Sequence, residues 1–158
     1  MADRLAKYLG DHRVRDFLSV SRVAHLATAT RRGEPHCVPL CFWFDHSRFY
    51  FIVDEKPKRS TGRELKRIRN IVENPRVALI VDHYEDKWSN LAYVMVQGVG
   101  QIVENPEEYT LALRNLRDKY PQYRSMNLVA ERNLIVRIDP DKMHVWGTRF
   151  GSAEKGQA

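Results

Sequence analysis

Apolar residues recur at helical spacing through the first twenty positions of the chain. The spacing predicts two short helices within residues 2–20, because Gly10–Asp11 interrupts the pattern. The residues that define the apolar faces of these helices are Leu5, Leu9, Val14, Phe17 and Leu18.

A capping-box pattern marks the start of a third helix. Thr61-x-x-Glu64 predicts a helix that begins near Gly62. We expect this helix to end at Asn74–Pro75, because proline disfavours a helical conformation in the residue before it. Its predicted buried stripe is Leu65, Ile68 and Val72, and the residues predicted to lie away from that stripe are Arg63, Lys66, Arg67 and Asn70.

A fourth helix has the clearest start signal in the chain. Asn105 is a good N-cap, Pro106 suits the first helical position, and Glu107 and Glu108 suit the first turn. The helix is predicted to run to about Tyr120, just before a proline.

Elsewhere the apolar residues alternate or run continuously, as they do in strands. Pro39 lacks an N–H, so it has to lie at an edge or a bulge, and Gly98 and Gly100 indicate a bulge or a close backbone approach. Strands in hairpin-like succession, with helices between some of them, predict a mainly β fold: an antiparallel barrel with peripheral helices. The predicted strands are residues 22–30, 36–45, 49–54, 76–83, 91–103, 133–139 and 143–147.

Length and composition describe an ordinary globular domain. The 158 residues are 43% hydrophobic and 29% charged, which excludes a disordered or fibrous chain. We expect one domain over residues 1–150 and a disordered tail over residues 151–158. No apolar run reaches the roughly 20 residues that span a bilayer, and the N-terminus lacks the apolar core of a signal peptide. These features predict a cytoplasmic protein without a membrane partner.

Common catalytic and metal-binding motifs are missing from the sequence. The six histidines are scattered without zinc-ligand spacing, and His83 beside Asp82 is interpreted as a histidine satisfied at a strand end. Cys37 and Cys41 would lie on one strand face about 13 Å apart, too far for a disulfide or a shared metal, so we expect two small buried residues. Gly-rich phosphate loops and the nucleophile elbow are also missing.

The basic surplus of the chain is confined to one segment. Seven of the 26 Lys and Arg residues and one of the 20 Asp and Glu residues lie in Lys56–Asn70, so this segment alone accounts for the net charge of +6. Cationic side chains beside a helix start favour phosphate binding, but a solvated basic face explains the charge density equally well. A nucleic-acid surface is disfavoured, because the cluster is short and lacks interleaved aromatic residues.

Four motifs taken in order resemble the flavin-binding split β-barrel superfamily, typified by pyridoxamine 5′-phosphate oxidase. They are LATATRRGEPHCVPLCFWFD, FYFIVDEKPKR, LKRIRNIVENPRVALIV and VMVQGVGQIV, and the resemblance covers roughly residues 10–148. The sequence is most similar to the small coenzyme F-420-dependent enzymes of that superfamily. It shares with them a K-P-K-R segment at Lys56–Arg59 and a D-H-Y-x-x-x-W loop at Asp82–Trp88.

The resemblance implies a six-stranded antiparallel split β-barrel that forms a homodimer with two flavin sites at the interface. By position, Lys66 and Arg67 match the basic pair that holds the cofactor phosphate, and the backbone of Val38 and Pro39 would border the flavin ring. The residues expected to support the phosphate are Lys56, Lys58, Arg59 and Ser60, and those expected to contact the cofactor from the second subunit are Gln97, Trp146 and Arg149.

The implied function is an oxidoreductase that uses FMN or coenzyme F-420 to transfer hydride to or from a small organic substrate. Both cofactors carry a tricyclic ring and a phosphate, and the acidic tail of F-420 would suit Lys56, Arg63 and Arg69, as solvent would. The alternative is a split barrel that binds flavin or heme without turnover. Activity on pyridoxamine phosphate is not expected, because Asp54–Glu55 and a short WGTRF replace the oxidase segments.

Overall fold

The computed structural model describes residues 2–54 and 64–151. The candidate phosphate residues Lys56, Lys58, Arg59 and Ser60, the predicted helix cap at Thr61 and the tail beyond Gly151 lie outside the described residues.

One curled, fully antiparallel sheet forms the framework, with the strand order β2-β1-β5-β6-β7-β4-β3. The predicted mainly β split-barrel fold is confirmed, with seven strands instead of six. The strands are β1 (Ala24–Ala29), β2 (Pro35–Leu40), β3 (Trp43–Phe44), β4 (Phe49–Ile52), β5 (Arg76–His83), β6 (Ala92–Ile102) and β7 (Ile135–Gly147).

Four α-helices accompany the sheet in the described part of the chain. The predicted division of residues 2–20 is confirmed, because a helix break at Asp11 separates the first two helices. None of the described helices is long and apolar enough to cross a membrane. The helices are α1 (Ala2–Gly10), α2 (His12–Val20), α3 (Lys66–Glu73) and α4 (Pro106–Lys119).

The strand predicted over residues 36–45 is broken in the structure. β2 ends at Leu40 and β3 begins at Trp43, because the Tyr120 hydroxyl binds the backbone of the break. This hydroxyl accepts from the Phe42 N–H at 3.0 Å and lies 2.9 Å from the carbonyl oxygens of Phe42 and Arg22, to either of which it can donate. A side chain from the end of α4 thus replaces the ladder hydrogen bonds that would have continued the strand.

The two strands predicted at the end of the chain form one long strand, β7. Its pairing with β6 shifts register between Gln97 and Gly98, which confirms the bulge predicted from the glycines. A Cβ at position 98 would collide with the carbonyl oxygen of Asp139, so only glycine lets the two backbones approach at this point.

Two apolar clusters lie on opposite sides of the sheet. The larger one fills the space between the sheet and α2 and α3 and includes Phe17, Leu26 and Ile68. The smaller one lies beneath α4 and includes Tyr50 and Leu116. The larger cluster is the one that positions the start of α3.

The α-helix of α3 begins at Lys66, and the start predicted near Gly62 lies outside the described residues. Its buried face is confirmed at Ile68 and differs from the prediction elsewhere, because Asn70 and Ile71 are buried while Val72 is 68% exposed. A residue one position after Ile71 is rotated by about 100° around the helix axis, which turns Val72 to solvent.

Candidate functional site

The start of α3 lacks the usual helix cap. Leu65 occupies the N-cap position and offers no side-chain acceptor, and the first turn contains no acidic residue. Lys66 and Arg67 occupy the first two helical positions instead. Free N–H groups and the helix dipole make this end positive already, so the two cations raise its affinity for an anion.

The body of α3, in contrast, is fixed firmly on β1. Asn70 Nδ2 donates to Thr28 Oγ1 at 2.9 Å, and both side chains are buried. One turn later, Asn74 Nδ2 donates to the Thr30 carbonyl at 3.4 Å. The helix therefore runs in the same direction as β1, and its start lies beside the beginning of that strand. Sequence reasoning placed Asn70 on an outer face, and nothing in the local sequence identifies its distant partner.

Arg67 is a half-buried cation without a matching acceptor. Its Nε is buried and has no hydrogen-bond partner, and no carboxylate of the described residues forms an ion pair with it. Burial lowers the pKa of Arg67, while the charge of Asp54 and the nearby Tyr123 oppose that shift. A guanidinium withdrawn from water in this way binds an anion strongly, because the anion replaces hydration that is already lost.

Lys66 has a weak partner. Its Nζ lies 3.8 Å from Glu34 Oε2, and the Lys66 side chain is 38% exposed. Ion pairs at such exposure contribute little to stability. Lys66 can therefore exchange Glu34 for an incoming anion at small cost.

The edge strand β2 borders this helix start. It pairs with β1 along one side, and no described strand pairs with its other side. Val38 lies opposite the buried Leu26, so its half-buried side chain lies on the face of the sheet that α3 covers. Pro39 is exposed on the opposite face. Val38 therefore lies on the sheet face that α3 covers, and its place beside a cofactor ring stays a prediction.

The other three candidates lie far from this group. Cys37, Ala27, Ala78 and Gln97 form one row across β2, β1, β5 and β6. Three strand spacings put Gln97 about 14 Å from β2, on the sheet face opposite α3. Gln97 lines a cavity of about 200 Å³ with Met95 and Lys142.

Trp146 and Arg149 lie near the end of β7. The Trp146 ring stacks on Tyr93, with ring centroids 5.7 Å apart. The Arg149 guanidinium lies 5.3 Å from the centroid of Phe17. The described contacts of these two residues are with Tyr93, Phe17 and Asn90 and not with α3.

The described part of the chain offers no support for a metal site or a disulfide. It contains no group of three His, Cys, Asp or Glu side chains that could hold a metal ion. His83 Nε2 lies 3.1 Å from Glu85 Oε2, so its partner is Glu85 and not the adjacent Asp82. Both cysteines are free, and the expectation of two buried residues is wrong, because Cys37 is exposed at the sheet edge and Cys41 is only partly buried.

His36 is a candidate site residue that the sequence does not indicate. The Nδ1 of His36, on β2, is buried and unpartnered. A scattered histidine carries no local signal of this kind, because its surroundings come from β1 and α3.

A curated relative matches part of the chain. The 5a,11a-dehydrotetracycline/5a,11a-dehydrooxytetracycline reductase of Streptomyces rimosus is 38% identical over 69 residues. The match spans 42% of this chain and 44% of that reductase, which is less than half of either protein.

Solved structures share the fold over most of their length. A conserved hypothetical protein from Mycobacterium tuberculosis superposes with a TM-score of 0.71 at 21% identity, covering 94% of this chain and 92% of that one. The heme storage protein HutZ of Vibrio cholerae gives 0.66 at 14% identity, with coverage of 85% and 93%. An F420 reductase gives 0.58 at 23% identity, with coverage of 82% and 94%. At these identities the likeness establishes the fold alone.

A family model extends the comparison to nearly the whole described domain. The model described as pyridoxamine 5′-phosphate oxidase matches residues 11–147, which include β1 to β7 and all of α3 and α4. The order of strands, the open edge at β2 and the cationic helix start all lie within the matched range. The chain therefore belongs to the pyridoxamine 5′-phosphate oxidase family.

Proposed function

We propose that this protein is an oxidoreductase that binds FMN or coenzyme F-420 and transfers hydride to or from a small organic substrate. The observation that carries the proposal is the half-buried Arg67 at an uncapped helix start, with a buried Nε that has no partner. A phosphoryl group supplies the charge and the acceptor oxygens that this guanidinium lacks.

The comparisons support an oxidoreductase of this type. The partial relative from Streptomyces rimosus is named as a reductase, and one structure with the same fold is an F420 reductase.

The roles of the residues follow from their positions. Arg67 and Lys66 would hold the phosphoryl group, and Val38 on the adjacent edge strand would border the ring. The bound flavin or deazaflavin would supply a ring that accepts and returns hydride. The chain itself would bind the phosphate, orient the ring and exclude water from it. Pro39 helps to keep the edge free for a ligand, because proline on an edge strand hinders the addition of another strand.

We further propose that the complete site needs a homodimer. The sheet face opposite α3 carries Ala27, Ala78, Ile80 and Met95, a small and apolar surface suited to a second copy. Gln97, Trp146 and Arg149 border this face and would reach the cofactor bound by the partner subunit. Light scattering of the purified protein tests this point. We expect the mass of two chains, and a single-chain mass for the variant Ala78→Arg.

Binding experiments test the cofactor assignment. The purified protein is titrated with FMN and, separately, with F-420, and binding is followed by fluorescence and by the absorbance spectrum. Arg67→Met should weaken binding of the preferred cofactor at least about 100-fold, because it removes a charge-assisted contact in a partly dry site. Arg69→Met, at an exposed arginine on the same helix, is the matched control and should bind FMN, which has no acidic tail, like the wild type. Equal affinities of the two variants would remove Arg67 from the site.

A non-catalytic heme-binding role is the second candidate. It is favoured by the shared fold with a heme storage protein, and heme carries carboxylates that Arg67 could also bind. Addition of hemin separates the two candidates. A sharp Soret band, with no change on addition of FMN or F-420, would support heme binding and contradict the flavin proposal.

A further inference from the structure

Two buried polar atoms without a partner stand out in the described part of the chain: Nε of Arg67 and Nδ1 of His36. A buried donor or acceptor left unpaired destabilises the folded chain. Proteins therefore pair nearly all such atoms, and each exception needs a physical explanation. The proposed cofactor accounts for Arg67, whereas nothing above accounts for His36.

The strand register places His36 on the same side of the sheet as α3. His36 on β2 pairs with Thr28 on β1, and residues paired in an antiparallel ladder project to the same face. The hydroxyl of Thr28 accepts a hydrogen bond from Asn70 of α3. The His36 side chain therefore lies on the face that α3 covers, one strand away from the Thr28–Asn70 hydrogen bond.

Arg67 lies on the same helix face as Asn70, three residues earlier and about 4.5 Å along the axis. Because α3 runs in the direction of β1, Arg67 lies toward Leu26, and Leu26 pairs with Val38, two residues beyond His36. By register, Arg67 thus lies at the level of Val38 and His36 at the level of Asn70, about two strand positions apart along the junction of β2 and α3.

Lys66 adds a third cationic or donor group to this junction. Its ammonium group reaches Glu34, which lies two residues before His36 on the same strand edge. Lys66 and Glu34 thus meet near the end of β2 that carries His36. An anion held between Arg67 and Lys66 would lie next to the imidazole.

From this juxtaposition we propose that His36 is a further cofactor-binding residue, whose Nδ1 donates a hydrogen bond to the phosphoryl group that Arg67 and Lys66 hold. This inference rests on the proposed function. It adds a cofactor-binding residue, His36, that neither the family match nor the basic segment indicates. The chemistry it commits to is a phosphate ester, whether the monoester of FMN or the diester of F-420. The hydrogen bond would satisfy His36 and Arg67 together when the cofactor binds.

The test compares cofactors with and without the phosphoryl group. The dissociation constants of FMN and riboflavin are measured by flavin fluorescence for wild type, His36→Leu and His36→Asn. The asparagine variant keeps a hydrogen-bonding group near the position of Nδ1, and leucine removes it. We expect His36→Leu to weaken FMN binding about tenfold or more and riboflavin binding less than about twofold. His36→Asn should restore most of the affinity for FMN.

Each outcome decides the question. Equal weakening of FMN and riboflavin in His36→Leu would mean that His36 only packs against the ring, and unchanged affinities would mean that it has no role. If the wild type binds F-420 but not FMN, F-420 and its phosphate-free deazaflavin fragment replace the flavin pair. Failure of the wild type to bind any of these compounds would overturn the proposed function as well, so the two failures are distinguishable. A melting temperature within a few degrees of the wild type confirms that each variant is folded.

Discussion

The two helices α3 and α4 begin in opposite ways. At α4 the Asn105 side chain accepts from the Glu108 N–H at 2.9 Å, Pro106 has no N–H to leave unpaired, and Glu107 and Glu108 complement the dipole. At α3 the cap is Leu65, the first turn has no acid, and Lys66 and Arg67 add positive charge.

The difference separates the two roles that a helix start can have. The start of α4 is satisfied within the chain: Glu108 also accepts from the Tyr50 hydroxyl and from Arg137, so it contributes to stability. The start of α3 is left unsatisfied while its body is fixed by Asn70 and by the buried Ile68 and Ile71. A rigid helix with an unsatisfied positive end is preorganised for an anion from outside the chain.

The largest expected effect is the response of stability to the cofactor. At about 100 times its Kd, the cofactor should raise the free energy of unfolding of the wild type by about 2.7 kcal/mol. Arg67→Met should lose this increase at the same cofactor concentration, and without cofactor it should be at least as stable as the wild type. The reason is that methionine removes a desolvated charge whose Nε has no partner. Urea unfolding with and without cofactor measures both quantities.

Urea unfolding of Arg67→Met without cofactor can also contradict this prediction. If Arg67→Met is destabilised by more than about 1 kcal/mol without cofactor, Arg67 belongs to the stabilising framework, and the contrast between the two helix starts disappears. Arg69→Met controls for the loss of a positive charge from the same helix.

How far the sequence predicts each helix follows from where its partners lie. The start of α4 was predicted down to its cap, because every signal lies between Asn105 and Glu108. In α3 the burial of Ile68 was predicted, but the burial of Asn70 was not, because Asn70 is held by Thr28, a residue 42 positions away. The break between β2 and β3 was missed for the same reason, since Tyr120 lies 78 residues beyond Phe42.

The features of the candidate site likewise divide into those that the sequence predicts and those that arise only from the packing of distant residues. The basic pair Lys66 and Arg67 is visible in the sequence, and so is its place near a helix start. The burial of Arg67 and the unpartnered His36 are not visible, because they arise from the packing of α3 on β1 and β2. The assignment of Gln97, Trp146 and Arg149 to a partner's site stays a prediction.

The next effect concerns the body of α3. Asn70→Leu should lower the free energy of unfolding by about 2 kcal/mol, because the buried Thr28 hydroxyl loses its donor. The double variant Asn70→Leu with Thr28→Val should recover part of this loss, since neither buried partner then remains unpaired. Urea unfolding of the two single variants and the double variant measures the coupling. Strictly additive losses would contradict the claim that this hydrogen bond fixes the helix.

A smaller effect is expected at the start of α4. Asn105→Ala should lower the free energy of unfolding by about 1 kcal/mol, because the Glu108 N–H loses its acceptor. Its affinity for the cofactor should equal that of the wild type, which is the reverse of the result expected for Arg67→Met. A loss of cofactor affinity in Asn105→Ala would show that the two helix starts are coupled. It would contradict the assignment of stability to the start of α4 and of anion binding to the start of α3.

A pH dependence is expected at the other end of α4, where a cation is also withdrawn from water. Burial, followed by the neighbouring charge of Arg22, lowers the pKa of Lys119 to about 8. Its ammonium group lies 3.9 Å from the centroid of the Phe42 ring and donates to the Leu18 carbonyl at 3.1 Å, so unlike Arg67 it is satisfied within the chain.

The sign of this dependence follows from the two states of the chain. Between about pH 8 and the ordinary lysine pKa, the unfolded chain holds a proton that the native chain has released, so stability rises with pH in that interval. Burial raises the pKa of Tyr120 to about 12, which acts in the opposite direction only above the ordinary tyrosine pKa near 10. Unfolding free energies are therefore compared at about pH 7 and 9.5 for the wild type and Lys119→Met. The wild type should gain stability relative to the variant as the pH rises. Parallel pH profiles of the wild type and the variant would mean that Lys119 keeps its proton in the native state. The end of α4 would then carry a charged side chain at about pH 9.5, as its start does.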